Sequence, residues 1–208
     1  MADLTLYHAS PSRSSVVLWM LEELGEPYDI TLLRLSEGDN LKPGYLAINP
    51  MGKVPALKHG DTVITEVAAI CTYLADAFPD KKLNVPLGTP RRGVYLKWLF
   101  FGPSCIEPAM IDRAAPRKEP ARRGMLGYGD FDTAMNVAAN AVAKGPWLMG
   151  EDFTAADVVV GATIRWGMMF KLIPERPEFA AYVARIAARP AAQRAEAKDK
   201  AMAAPPTS

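Results

Sequence analysis

The chain has 208 residues, half of them hydrophobic and 23% charged, and a formal net charge of +1. That near-neutral balance argues against a broad nucleic-acid surface, which needs clustered excess Lys and Arg. The length allows one domain or two small ones, each with a real core. No apolar run reaches the roughly 20 residues of a membrane span, so no membrane association is expected. The opening MADLTLYH lacks the basic-then-apolar layout of a secretory signal. Two cysteines, Cys71 and Cys105, without C-x-x-C spacing point away from a disulfide framework and toward a reducing cytoplasm. Two histidines without clustered ligands make no zinc site, and no metal is expected.

In chain order, LTLYH (4–8) alternates as a strand, with Leu4 and Leu6 on one face. The polar loop ASPSRSS leads into VVLWMLEELG, where Val17, Met20, Leu21 and Leu24 repeat at helical spacing and Gly25 supplies a stop. YDITLLRL (28–35) reads as a second strand, parallel to the first because a helix connects them. A helical turn near KPGYLAI precedes two brief strands, PALKHG and TVITE, around the turn signal His59-Gly60-Asp61. EVAAICTYLADAF (66–78) carries Ile70, Leu74 and Phe78 on one helical stripe.

Residues 79–90, PDKKLNVPLGTP, concentrate Pro, Gly and charge as a linker does. Beyond them only helical patterns occur. VYLKWLFFGPSCIEPAMI is a long apolar helix that Pro103 and Pro108 should kink or divide. GYGDFDTAMNVAANAVAKG, AADVVVGATIRWGMMFKL and EFAAYVARIAA are further helices. FTAADV offers Thr154 as an N-cap with Asp157 as its reciprocal partner, a signal of a helix start and not of chemistry. The expected organisation is an α/β domain over residues 1–79 ordered βαβ-ββα, a linker over 80–90, an all-helical domain over 91–198 and a flexible tail over 199–208.

SRSSVVLWMLEELGEPY (12–28), YLAINPMGKVPAL (45–57), ITEVAAICTYLAD (64–76) and FTAADVVVG (153–161), in this order and spacing, resemble the cytosolic glutathione transferases. GPWLMG (145–150) and FAAYVARIAARPA (179–191) extend the likeness over nearly the whole chain, and the Ser-Arg-Ser loop is similar to that of bacterial serine-type members. The resemblance implies a thioredoxin-like N-terminal domain, an all-helical C-terminal one, a homodimer in the cytoplasm, and glutathione as a co-substrate with no other cofactor.

It also implies roles for individual residues. The proline of VPAL, Pro55, is cis in the family, which leaves the backbone of Val54 to pair with the cysteinyl backbone of glutathione as a short antiparallel strand. Glu66 and the N–H of Val67, at a helix N-terminus, would meet the γ-glutamyl amine and carboxylate. The family usually has Ser where Val67 stands, so one hydroxyl donor is missing. Asn40 and Lys53 are candidates for the glycyl carboxylate.

Transfer chemistry needs the sulfur as thiolate. A hydroxyl donor and the positive end of the first helix would stabilise it, both supplied by SPSRSS. Counting back from LEELG places the family's catalytic serine at Pro11, flanked by Ser10 and Ser12. Ser12 is the first choice, followed by Ser10 and Ser14, although all three are also ordinary capping residues. A hydrophobic electrophile would sit between the domains, against Phe101, Ser104, Glu107 and Ile111 at helical spacing, with Trp166 and Met169 completing the pocket. The expected reaction is conjugation of glutathione to that electrophile. The alternatives are a glutathione-dependent peroxidase, disulfide reductase or isomerase, and a non-catalytic binding module.

Overall fold

The computed structural model describes residues 3–119 and 121–203. The chain divides into two compact units: residues up to Lys81 together with the segment from Arg189 onward, and residues from Lys82 to Ala188.

In the first unit β1 (Leu4–His8) pairs in parallel with β2 (Tyr28–Leu32) and antiparallel with β3 (Ala56–His59), which forms a hairpin with β4 (Thr62–Thr65). The sheet order is β2-β1-β3-β4, the thioredoxin-like arrangement. β1 is central, and its side chains Leu4, Leu6 and His8 are buried. β2 is an edge strand and stops at Leu32, three residues short of its apolar sequence run, because Leu35 turns into a short 3₁₀ segment. Helix α1 (Ser14–Leu24) buries Val17, Leu18, Met20, Leu21 and Leu24. It ends where Gly25, at φ 68°, donates its N–H to the Leu21 carbonyl, a conformation glycine adopts without steric cost. A single turn, α2 (Pro43–Leu46), precedes β3, and α3 (Val67–Ala77) follows β4 with Ala68, Ile70, Cys71 and Leu74 inward.

The last helix of the described chain, α9 (Pro190–Met202), groups with this unit and packs on α1. The sequence patterns end the helical domain at 198 and leave 199–208 as a tail. The helix instead runs through Met202, and residues 204–208 lie outside the described ones. Its inward residues are only Ala191, Ala192 and Ala195, so it makes no large apolar stripe. It is fixed instead by charge. Arg189 holds Glu23 through two bonds of 2.7 Å, Arg194 donates to the Glu22 carboxylate at 2.8 Å, and Lys198 donates to the same carboxylate.

The second unit is helical. α4 (Pro90–Phe101) and α5 (Glu107–Ala114) are joined without a break by a π-helical turn over Gly102–Ile106, which is how Pro103 and Pro108 divide the long apolar segment. α6 (Phe131–Val142), α7 (Ala155–Met169) and α8 (Pro177–Ala187) complete it. α7 carries the full capping box of Thr154 and Asp157. The buried Asp157 carboxylate also accepts from the Leu148 N–H and the Tyr182 hydroxyl, both at 2.8 Å, tying the preceding loop and α8 to the start of α7. Among the described residues no helix is long and apolar enough to cross a membrane.

Candidate active site

Three segments of the first unit carry the residues expected to act: the loop from β1 into α1, the approach to β3, and the turn from β4 into α3. In the first, the three serines have different surroundings. Ser14 is fully buried. Its hydroxyl accepts the Ala9 N–H at 3.0 Å, and lies 2.7 Å from His8 Nδ1 and 2.7 Å from Ser12 Oγ. Ser12 is half-buried, and its Oγ also accepts the Ser14 N–H at 3.1 Å, so its side chain serves the first turn of α1. Ser10 is half-buried and hydrogen-bonds the carboxylate of Asp199. Pro11, between them, follows a cis bond from Ser10.

This loop rests on a polar interior. His8 is fully buried, and its Nε2 lies 2.9 Å from Asp199 Oδ1. Ser15 donates to the other oxygen, Oδ2, at 2.9 Å. Burial pushes the Asp199 carboxyl up, but the bonds from His8, Ser10 and Ser15 outweigh it and hold the group below its ordinary value of 3.8. The sequence patterns missed both His8 and Asp199. His8 looks like one more inward position of a strand, and Asp199 lies 191 residues away in what reads as a tail.

Before β3, the Val54–Pro55 bond is cis. Pro55 is buried and Val54 half-buried, and no hydrogen bond among the described residues uses the Val54 N–H or C=O. The loop is held from behind. The Lys53 carbonyl accepts from the Tyr45 hydroxyl at 2.6 Å and the Asn49 amide at 2.8 Å, and the Gly52 carbonyl accepts from the Asn40 amide at 2.8 Å. Asn40 therefore supports this loop through one of its donors, while the Lys53 side chain is exposed.

Glu66, at the entry to α3, has φ 70° and ψ 121°, a conformation that costs an L residue roughly 1–2 kcal/mol. Its side chain is exposed, and the free N–H groups of the helix start follow it, with Val67 as the first helical residue. A strained non-glycine residue with a free carboxylate beside unpaired N–H donors is an arrangement suited to a zwitterion.

In the helical unit Phe101, Glu107 and Trp166 are half-buried, while Ser104 and Ile111 are exposed. Phe101 packs edge-on to Trp98 at 5.4 Å and Trp166 packs against Phe170 at 5.5 Å. The π turn departs from 3.6-residue spacing between Phe101 and Glu107, so the one-face pattern counted through it along the sequence does not transfer directly to the helix. Met169 is 59% exposed. Cys71 is buried and its thiol is pushed far up by burial. Cys105, half-buried, is pushed up by the same cause.

Two family models match the chain: "Glutathione S-transferase, N-terminal domain" over residues 12–77 and "Glutathione S-transferase, C-terminal domain" over residues 131–190. Glutathione S-transferase GstA of Escherichia coli O157:H7 is 32% identical over 167 residues, covering 79% of this chain and 81% of its own. A glutathione transferase crystal structure from Methylococcus capsulatus matches with a TM-score of 0.79 and 29% identity, over 95% of this chain and 99% of the other. The glutathione transferase URE2P6 of Phanerochaete chrysosporium, solved in complex with oxidized glutathione, matches with a TM-score of 0.80 and 25% identity, over 97% and 98% of the two chains.

Proposed function

The chain belongs to the glutathione S-transferase family and is a glutathione transferase, and on that premise we propose how its own residues bind and activate the tripeptide. The observation that carries the reading is Ser12. Its hydroxyl sits at the positive end of α1, anchored to Ser14 on a residue that is only half-buried, where it can bond to the cysteinyl sulfur. Ser14 is too buried to touch a ligand directly, and Ser10 is engaged with Asp199.

The backbone of Val54, preceding Pro55, pairs with the cysteinyl backbone as an added strand. Glu66 receives the γ-glutamyl amine, and the N–H groups at the start of α3 receive its carboxylate without a side-chain hydroxyl from Val67. Lys53 and Asn40 serve the glycyl end, Lys53 as the exposed cation and Asn40 through its remaining amide hydrogen. The thiolate then attacks a hydrophobic electrophile, forming the carbon–sulfur bond as the leaving group departs. The protein supplies positioning and anion stabilisation. Phe101, Ser104, Glu107, Ile111 and Trp166 are the candidates for the electrophile's contacts. We place the enzyme in the cytoplasm as a homodimer, following its family.

The test is the ultraviolet absorbance of bound thiolate, together with product analysis. At pH 7 the bound tripeptide is expected to be largely ionised, with one thioether formed per glutathione consumed. Ser12→Ala should lower the ionisation constant of the bound thiol by about 10- to 150-fold, the equivalent of one hydrogen bond of about 1.5–3 kcal/mol to a charged group. An unchanged constant in that variant would remove Ser12 from the mechanism. Glutathione that is regenerated instead of consumed would replace transfer with a redox or isomerase reaction.

A further inference from the structure

Ser12 is the outer end of a continuous hydrogen-bonded chain: Ser12 Oγ to Ser14 Oγ at 2.7 Å, Ser14 Oγ to His8 Nδ1 at 2.7 Å, and His8 Nε2 to Asp199 Oδ1 at 2.9 Å. His8 and Ser14 are fully buried, so water does not compete for its two inner members. We propose that His8, oriented by Asp199, is a positioning residue that accepts the thiol proton of glutathione through Ser14 and Ser12, and so sets which way the Ser12 hydroxyl points. The inference rests on the assignment of Ser12 to the sulfur made above.

The donor and acceptor count supports two states of this chain. With neutral His8, Nε2–H donates to Asp199 and Nδ1 accepts from the Ser14 hydroxyl. The two lone pairs of Ser14 then accept the Ala9 N–H and the Ser12 hydroxyl. The Ser12 hydrogen points inward, one of its lone pairs accepts the Ser14 N–H, and the other faces outward, suited to accept from an S–H.

With protonated His8, Nδ1–H donates to Ser14, the Ser14 hydroxyl turns to donate to Ser12, and the Ser12 hydrogen faces outward, suited to donate to S⁻. The Ala9 carbonyl, 3.2 Å from Ser14 Oγ, is the competing acceptor for that hydroxyl and goes without it in both states, which differ by one proton shift in each of three bonds. The S–H bond breaks as Ser12 takes its proton. Ser12 passes its own proton to Ser14, and Ser14 passes its own to His8 Nδ1. The result is thiolate and imidazolium, with the charge on His8 facing the Asp199 carboxylate.

Asp199 is the only charged group within hydrogen-bond or ion-pair reach of His8 among the described residues. Its other partners are the neutral Ser10 and Ser15. The neighbouring cations of α9 are turned to other groups, Lys198 to Glu22 and Lys200 to Glu196.

The proton count of binding tests this on the unmodified enzyme. Glutathione and S-methylglutathione, which has no thiol proton, are titrated calorimetrically at pH 7.5 in buffers of different ionisation heat, with thiolate absorbance followed in parallel. The expected result is thiolate in the complex with fewer than about 0.2 protons released per site relative to the analogue, since the proton stays on the protein. Thiolate formation with about one proton released overturns the relay while leaving the proposed function standing. Absence of binding by both ligands overturns both.

In His8→Gln and Asp199→Asn the ionisation constant of the bound thiol, read from thiolate absorbance against pH, is expected to fall at least about tenfold, with S-methylglutathione affinity within twofold of the wild type. An unchanged constant, or loss of analogue affinity in the same proportion, reduces the pair to scaffolding and overturns the proposal.

Discussion

At Glu66 a strained backbone and the proposed ligand contact meet in a single residue. Its φ of 70° lies where glycine is at ease and an L side chain is not, yet the sequence keeps a glutamate there. If the carboxylate serves the γ-glutamyl amine, the two roles separate on substitution. Glu66→Gly relieves roughly 1–2 kcal/mol of backbone strain and adds about 0.5–1 kcal/mol of chain entropy to the unfolded state. Its melting temperature should therefore stay level or rise slightly. Glutathione affinity should nonetheless fall by at least about tenfold, since a bond to a charged group is lost. Titration calorimetry beside a thermal melt checks both, and full affinity in the glycine variant would return Glu66 to a purely local role. At the same scale Ser10, Ser12 and Ser14 are alike in sequence, and only burial and partners distinguish them.

At the scale of elements, strands and helices with strong apolar periodicity were legible in the sequence, as were punctuating residues such as Gly25 and the Thr154–Asp157 box. The π turn was only half legible. Two prolines announce a disturbance, but the turn also depends on tight packing: a Cβ on Gly102 would lie 3.3 Å from Val159 Cγ1. α9 was illegible as a docked helix because its contact face is alanine and its adhesion is ionic. Glycine packing between α7 and α8 is a similarly hidden constraint. A Cβ on Gly161 would meet Ile186 Cδ1 at 2.2 Å and Tyr182 Cε1 at 3.6 Å, both in the buried core. Gly161→Ala should therefore destabilise the protein by about 1–3 kcal/mol despite alanine's better helix propensity. Ile186→Val removes the clashing methyl and, alone, should cost about 0.5–1.5 kcal/mol. Combined, the two should be at least about 1 kcal/mol more stable than their sum, measured by urea unfolding; strict additivity would show that the helices simply move apart.

For the molecule as a whole, the chain leaves the thioredoxin-like unit at Lys81, builds the helical unit, and returns at Arg189 to close the first unit with α9. The loop from β1 into α1 therefore depends on α9 as well as on its own neighbours in sequence. That closure carries a pH signature. Burial pushes the Glu22 carboxyl up, but bonds from Lys198, Tyr28 and Arg194 outweigh it and hold the group below its ordinary value of 4.5; Asp199 lies below its own ordinary 3.8. A carboxyl with a depressed folded-state value stabilises the fold fully above its unfolded value and loses that contribution as pH falls through the folded one. Stability should thus be level from neutrality to about pH 4.5 and decline below it. Glu22→Gln should lose about 1–3 kcal/mol at pH 7, because Arg194 and Lys198 keep partial access to water, and should decline less steeply in acid. Urea midpoints at pH 7 and pH 3.5 decide it: an equal acid loss in wild type and variant would show that the docking of α9 is not what acid weakens.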